Sequence, residues 1–251
     1  MIKQQLEELS LKEIKLVKSI GDEIKKINPN FEIAYLPNLS PKEKVKYIFI
    51  AMEPSLRRWA KDEKEAKEMV EKGFRNFILS WDDFIFHFCI TRYLSQSYYV
   101  TDISKAAMKV KDANRWRKDI YPKWIELLKE EIKIVGQNDC RLIFVGKRVE
   151  DFLKLKITNN NVLGKILHYS VNAAIYRKKL PQEYPEEYKK FKNNLSNSII
   201  LDFAKKYLKQ YGIPRQMMVW ILKKLKDDKT KLSESRKQLM FTYFKKFQEF
   251  S

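Results

Sequence analysis

The sequence holds only two cysteines, Cys89 and Cys140, and their wide spacing matches no zinc or iron–sulfur pattern. It has no uninterrupted apolar stretch close to the ~20 residues that a membrane span needs. The opening segment, "MIKQQLEELSLKEIKLVKSI", carries acids and lysines through its apolar periodicity, so it reads as an amphipathic helix and not as a signal peptide. There is no internal repeat and no low-complexity tract. These shortages exclude a cysteine-built metal domain and a membrane-spanning helix, and they lead to the expectation of a soluble, intracellular protein, cytoplasmic or in the nucleoid or nucleus. Acids are the other deficit: 32 Asp and Glu stand against 51 Lys and Arg, a formal net charge of +19. An excess of that size points to a polyanion as partner, nucleic acid first and an anionic membrane second, unless the lysines serve solubility alone.

What is present is ordinary globular material. At 251 residues and 44% hydrophobic, the chain is long enough for one sizeable core, or a core plus a small appendage, and too apolar to be disordered. Residues 4 to 28 place Leu6, Leu9, Ile14, Val17, Ile20 and Ile24 at helical spacing until "NPN" stops the helix. A continuous apolar run at 45 to 51 predicts a strand covered on both faces. Charged helical sequence follows from Lys61 to Lys72, and "WDDFIFHFCITRYL" predicts a buried helix with Asp82 or Asp83 near its start. β-Branched and aromatic residues at 98 to 103 predict a second strand. "YPKWIELLKEEIKIV" reads as an amphipathic helix with Pro122 in its first turn. "CRLIFVGKRVEDFLKL" repeats the strand–turn–helix order around Gly146, and "NVLGKILHYS" supplies a fourth strand.

Strands alternating with helices at this spacing predict an α/β fold: a central parallel four-stranded sheet flanked by helices, with strands at 47–51, 98–102, 141–145 and 163–167. In such sheets ligands bind beyond the carboxyl ends of the strands, where this chain carries Glu53, Asp102, Gly146 and His168. After residue 180 the character changes to basic, aromatic-rich helical sequence. The expected organisation is a core over 1–180 and a helical C-terminal extension over 181–251, read as three helices that either pack their aromatics on the core or bind nucleic acid or a partner.

The succession "IFIAMEPS", "YVTDISKAAMK", "LIFVGK" and "ILHYSVNAA" resembles the uracil-DNA glycosylase superfamily over roughly residues 40 to 180. Members of that family end a first strand in a G-x-[D/E/N]-P-like loop, often read Y-[IV]-T-N-x-x-K at a second, and end a fourth in H-P-S. The resemblance implies base flipping from DNA and metal-independent, cofactor-free hydrolysis of an N-glycosidic bond by a protein expected to be monomeric. That reaction builds positive charge on the sugar and negative charge on the departing base, so it needs an anion on one side and a donor on the other. Glu53 falls at the water-positioning carboxylate and His168 at the histidine that bonds the leaving base; a helix-capping acid and a satisfied buried histidine are the alternatives. Phe77, or else Phe74, falls where members keep a stacking phenylalanine, with core packing as its alternative. Ser55 and Ser170 fall within the base-binding motifs. Arg57, Arg58, Lys61, Lys147, Arg148, Tyr169 and Arg177 are the candidate DNA contacts, and solvated charge explains each basic one equally well.

The chain departs from the family pattern at four places. Ala51 stands where most members have glycine, and Ser55 where one branch keeps a tyrosine that excludes thymine. Asp102 occupies the position of the asparagine that reads uracil; an ionised aspartate only accepts hydrogen bonds and would suit bases offering amino or N–H donors. Val171 and Asn172 replace the Pro-Leu wedge, leaving Tyr169 or Tyr176 as substitutes. The expected activity is therefore removal of a damaged, deaminated base, with a non-catalytic nucleic-acid-binding protein of the same fold as the alternative.

Overall fold

The computed structural model describes residues 2–157, 161–169 and 171–250. Its centre is a four-stranded, wholly parallel sheet of β2 (Val45–Ala51), β3 (Tyr98–Asp102), β5 (Gly136–Val145) and β6 (Val162–Ile166), in the spatial order β3-β2-β5-β6. The four segments expected to share one parallel sheet do so. A smaller antiparallel pair, β1 (Ile33–Tyr35) with β4 (Ala106–Met108), lies beside it and was not foreseen, because both are only three residues long and Ala-Ala-Met holds no β-branched or aromatic residue to mark a strand.

Alternation along β2 explains the layering. Tyr47, Phe49 and Ala51 face a cluster holding Trp81, Phe84 and Phe86 of α3 (Trp81–Cys89), while Ile48 and Ile50 face Tyr121, Ile125 and Leu128 of α4 (Val110–Val135). On the second face Leu9 of α1 (Ile2–Lys25) and Val149 and Leu153 of α5 (Lys147–Leu153) complete the packing. Between α1 and α4, the β1–β4 pair buries Ile33, Ala106 and Met108 against Ile20 and Trp124. Short polar devices end the elements: Asp62 accepts from Glu65 N at 2.8 Å at the start of α2 (Glu63–Glu71), and Ser80 with Asp83 forms a capping box on α3.

Two expectations need correction. The helix placed at 121–135 begins at Val110, so Pro122 lies inside it and not in its first turn. Both Pro122 and Lys118, whose carbonyl loses its helical donor, are exposed, so water can replace the missing bond and the helix runs through. Among the described residues the C-terminal region forms five α-helices and not three: α6 (Lys179–Glu183), α7 (Pro185–Asn193), α8 (Asn197–Gln210), α9 (Arg215–Asp227) and α10 (Glu234–Gln248). Pro185 restarts the chain as a helical first residue, and Ser196 caps α8 by accepting from Ile199 N at 3.3 Å.

These helices supply one wall of the core. Ile200, Tyr207, Met240, Tyr243 and Phe247 belong to the same buried cluster as Phe49 and Phe86. Phe247 meets Phe49 edge-on at 5.9 Å, and Asp82 binds Arg236 of α10 through both carboxylate oxygens, at 3.2 and 3.0 Å. Among the described residues no helix is long and apolar enough to cross a membrane.

Candidate active site

The chain crosses the sheet in one direction from β2 to β3, then returns past β2 to β5, so the carboxyl ends of β2 and β5 flank the point where the winding reverses. A cavity of about 830 Å³ opens there. Glu53, Ser55, Arg57, Arg58, Phe74, Phe77, Asp102, Arg148, His168 and Tyr169 all line it, joined by Trp59, Asn76, Asp83 and Arg117.

Glu53 is held in place from both its backbone and its side chain. The carbonyls of Ala51, Met52 and Pro54 accept from Ile103 N at 2.9 Å, Ser104 N at 3.3 Å and Met108 N at 3.3 Å, which ties the loop after β2 to the segment after β3. The side chain is 6% exposed, and its carboxylate accepts from Arg117 Nε (3.1 Å to Oε2) and Nη2 (2.6 Å to Oε1), while Oε2 also accepts from the Tyr121 hydroxyl. A carboxylate has about four lone-pair sites, so this arrangement leaves one, on Oε1, for a water or a ligand donor. Neither Arg117 nor Tyr121 was expected from the sequence.

His168 follows β6 on an equally constrained path. The Ile166 carbonyl accepts from Gly146 N at 2.9 Å, the Leu167 carbonyl from the Tyr243 hydroxyl at 2.9 Å, and the Tyr169 carbonyl from Arg177 Nη2 at 2.5 Å. Gly146 is required here: its φ is +99°, and a Cβ on it would stand 3.0 Å from His168 Cβ. The His168 ring stacks on Tyr169 at 4.8 Å. Burial, reinforced by Arg58, Arg177 and Arg148, lowers its pKa to about 4, so the imidazole is neutral at pH 7 and can donate only one ring N–H.

Aromatic walls complete the cavity. Phe74 stacks on Trp59 at 5.1 Å and 29°. Phe77, whose φ is +60°, is fixed by two hydrogen bonds: its N–H donates to Asn76 Oδ1 at 2.9 Å, and its carbonyl lies 3.1 Å from His87 Nε2. Burial lowers the pKa of His87 to about 3, so this imidazole is neutral and serves as scaffold.

The charge in the cavity is lopsided. Arg57, Arg58, Arg117 and Arg148 contribute to the wall, whereas burial raises the pKa of Asp83 and lifts that of Asp102 to about 8. At neutral pH Asp102 is therefore mostly a neutral acid, which corrects the expectation of an ionised acceptor. Its fully desolvated position, 2% exposed, is the cause.

Several expected contacts lie elsewhere. Lys61 and Lys147 are exposed but outside the cavity wall, and Lys147 pairs with Asp151 at 2.7 Å along α5. Arg177 is 5% exposed and points inward, bonding Ser235 Oγ at 3.0 Å as well as the Tyr169 carbonyl, so it is a structural strap and not a surface phosphate contact. Tyr169 is packed between His168 and Phe86, which removes it as an insertion wedge. Tyr176, the other substitute, is 63% exposed. Ser170 lies outside the described residues. Among the described residues no group of three or more His, Cys, Asp or Glu is placed to hold a metal ion.

Comparison of the chain with protein-family models, with curated proteins and with solved structures found no match in any of the three.

Proposed function

We propose that this protein binds DNA and removes a deaminated base from it, flipping the nucleotide into the cavity at the sheet reversal and hydrolysing its N-glycosidic bond. The observation that carries this reading is the convergence of Glu53 and His168, from loops after the first and fourth sheet strands, on one cavity with aromatic walls and an arginine rim. The motif order that resembles the uracil-DNA glycosylase superfamily and the net charge of +19 support it independently.

The chemistry follows from the groups present. A neutral His168 donates its N–H to an oxygen of the departing base and stabilises the negative charge that develops there. Glu53, held in place by two donors from Arg117, binds a water through its remaining Oε1 site and offsets positive charge growing on the sugar. Trp59, Phe74 and Phe77 form the apolar platform for the base, and Arg57, Arg58 and Arg148 take the flanking phosphates. The test is incubation with oligonucleotides each bearing one uracil, hypoxanthine, xanthine or mismatched thymine, followed by alkaline cleavage at abasic sites. Strand breaks at one of these positions support the reading, and intact strands throughout reject catalysis.

One observation favours a second reading. Arg117 and Tyr121 occupy three of the lone-pair sites of Glu53, which weakens it as a base. A protein that binds the flipped nucleotide without cleaving it would tolerate that arrangement.

A further inference from the structure

Asp102 closes β3 and lines the cavity, and its environment is unusual for a carboxyl group. Oδ2 accepts from Asn76 Nδ2, and the direction of that amide is fixed because Asn76 Oδ1 is occupied by the Phe77 N–H at 2.9 Å. The nearest ammonium does not reach the carboxyl: Lys105 Nζ bonds the Asp102 backbone carbonyl at 3.1 Å, Thr101 Oγ1 at 2.6 Å and Glu131 Oε2 at 2.8 Å. Oδ1 has no hydrogen-bond partner among the described residues, and the residue lines the cavity.

Titratable groups act on it from several elements, and Arg58, Arg148 and His168 line the same cavity. Glu53 lies on the loop after β2, Lys105 on the segment after β3, Glu131 and Tyr121 on α4, and Tyr169 after β6. Burial is the largest influence on the carboxyl, Lys105 opposes it, and Glu53 and Glu131 reinforce it, with the outcome at about 8. A buried carboxyl bonded by a neutral amide, contacted by no cation and flanked by two carboxylates keeps its proton. Since Oδ2 is the oxygen that accepts, the proton resides on Oδ1, the oxygen left for a ligand.

We propose that Asp102 meets the bound base as a carboxylic acid whose Oδ1–H donates to a carbonyl oxygen, and that loss of this proton turns the same oxygen into an acceptor for an exocyclic amino group. The inference rests on the nucleobase reading of the cavity and adds to it a selectivity that depends on pH. Bases that present a carbonyl there, such as uracil and hypoxanthine, are favoured below the transition. Bases that present an amino group, such as cytosine and adenine, gain above it.

The experiment is equilibrium binding, which needs no turnover. Fluorescent single strands carrying one 2′-fluoro-deoxyuridine or one 2′-fluoro-deoxycytidine, whose fluorine resists glycosidic cleavage, are titrated with the protein at about pH 6.5 and about pH 9, on either side of the Asp102 transition. The uracil strand should bind about tenfold more tightly than the cytosine strand at the lower pH, because a mismatched buried polar pair typically costs that much. That ratio should fall by about tenfold at the higher pH. Asp102→Asn keeps a permanent donor, so its ratio should change only as far as the base's own N–H titration moves it, which the wild type shares. A wild-type ratio that is the same at both pH values, that matches Asp102→Asn at both, or that favours cytosine at the lower pH overturns the inference while leaving nucleobase binding intact. Absence of binding to both strands overturns it together with the reading on which it rests.

Discussion

Arg117 grips Glu53 through two separate nitrogens, Nε to Oε2 at 3.1 Å and Nη2 to Oε1 at 2.6 Å, with the arginine side chain 17% and the glutamate side chain 6% exposed. The pair joins the loop after β2 to the first half of α4. It keeps a charge in a place where a single carboxylate would be costly to bury.

Removal of either partner strands the other. Arg117→Ala should lower stability by about 2–3 kcal/mol, somewhat less than the ~3–5 kcal/mol of a fully buried pair because the guanidinium retains some solvent. Glu53→Gln combined with Arg117→Ala should cost less than the sum of the single changes. Urea denaturation of the four proteins measures the cycle, and additive effects would show that the two groups do not interact.

Base release should respond to the two groups of the proposed chemistry in different ways. Glu53→Gln and His168→Ala should each slow it about 10²-fold or more, while binding of an oligonucleotide survives through the untouched arginines. Because His168 is neutral down to about pH 4, the wild-type rate should be level across the range where a free histidine titrates. A rate that falls as pH rises through an ordinary histidine pKa would mean that the protonated ring is the active form.

DNA affinity should fall steeply with salt, with a log–log slope of about −0.9 for each duplex phosphate neutralised. Arg57→Ala, Arg58→Ala and Arg148→Ala, at the cavity rim, should each make the slope shallower by about one contact. Lys147→Ala should leave it unchanged, since its ammonium lies off the cavity wall. Equal effects at all four positions would indicate a diffuse charge attraction without a footprint.

Stability should pass through a maximum below neutrality. Glu13 and Asp102 are lifted to about 7 and about 8, so the folded chain holds protons that the unfolded chain releases, and their contribution is lost as pH rises through those values. His87 and His168 are lowered to about 3 and about 4, so there the unfolded chain binds the extra protons and stability is lost as pH falls below ~6.5. Thermal unfolding against pH should therefore decline between about pH 6.5 and 8, and Glu13→Gln with Asp102→Asn should flatten that decline. An unchanged decline in the double variant would place its origin in other groups.

The sheet was legible because its strands are buried on both faces and so read as unbroken apolar runs, "YIFIA" and "LIFV" among them. The site was legible where it sits at strand ends, at Glu53, Asp102 and His168. Arg117 and Tyr121 were hidden because they are one helical turn apart on a helix whose start was placed at residue 121, which left Arg117 in a loop and concealed the shared face. Charge on a residue also has no signature in sequence. Asp102 reads as an anion by composition, and only desolvation within the fold makes it an acid. Arg177 misled for the related reason that a basic residue near a site motif looks like a surface contact, although the chain turns it inward to bond a carbonyl.

Phe247 and Tyr243, near the end of the chain, cover Phe49 and Phe86, which lie near its beginning. During synthesis at ~5–20 residues per second, the inner strand is made on the order of ten seconds or more before its cover emerges. One face of the sheet, and with it the tyrosine hydroxyl that steadies the backbone beside His168, waits for α10. The nascent protein thus passes through a stage with an open apolar face and an unfinished pocket, in which a chaperone has a surface to hold and the cavity has no finished wall.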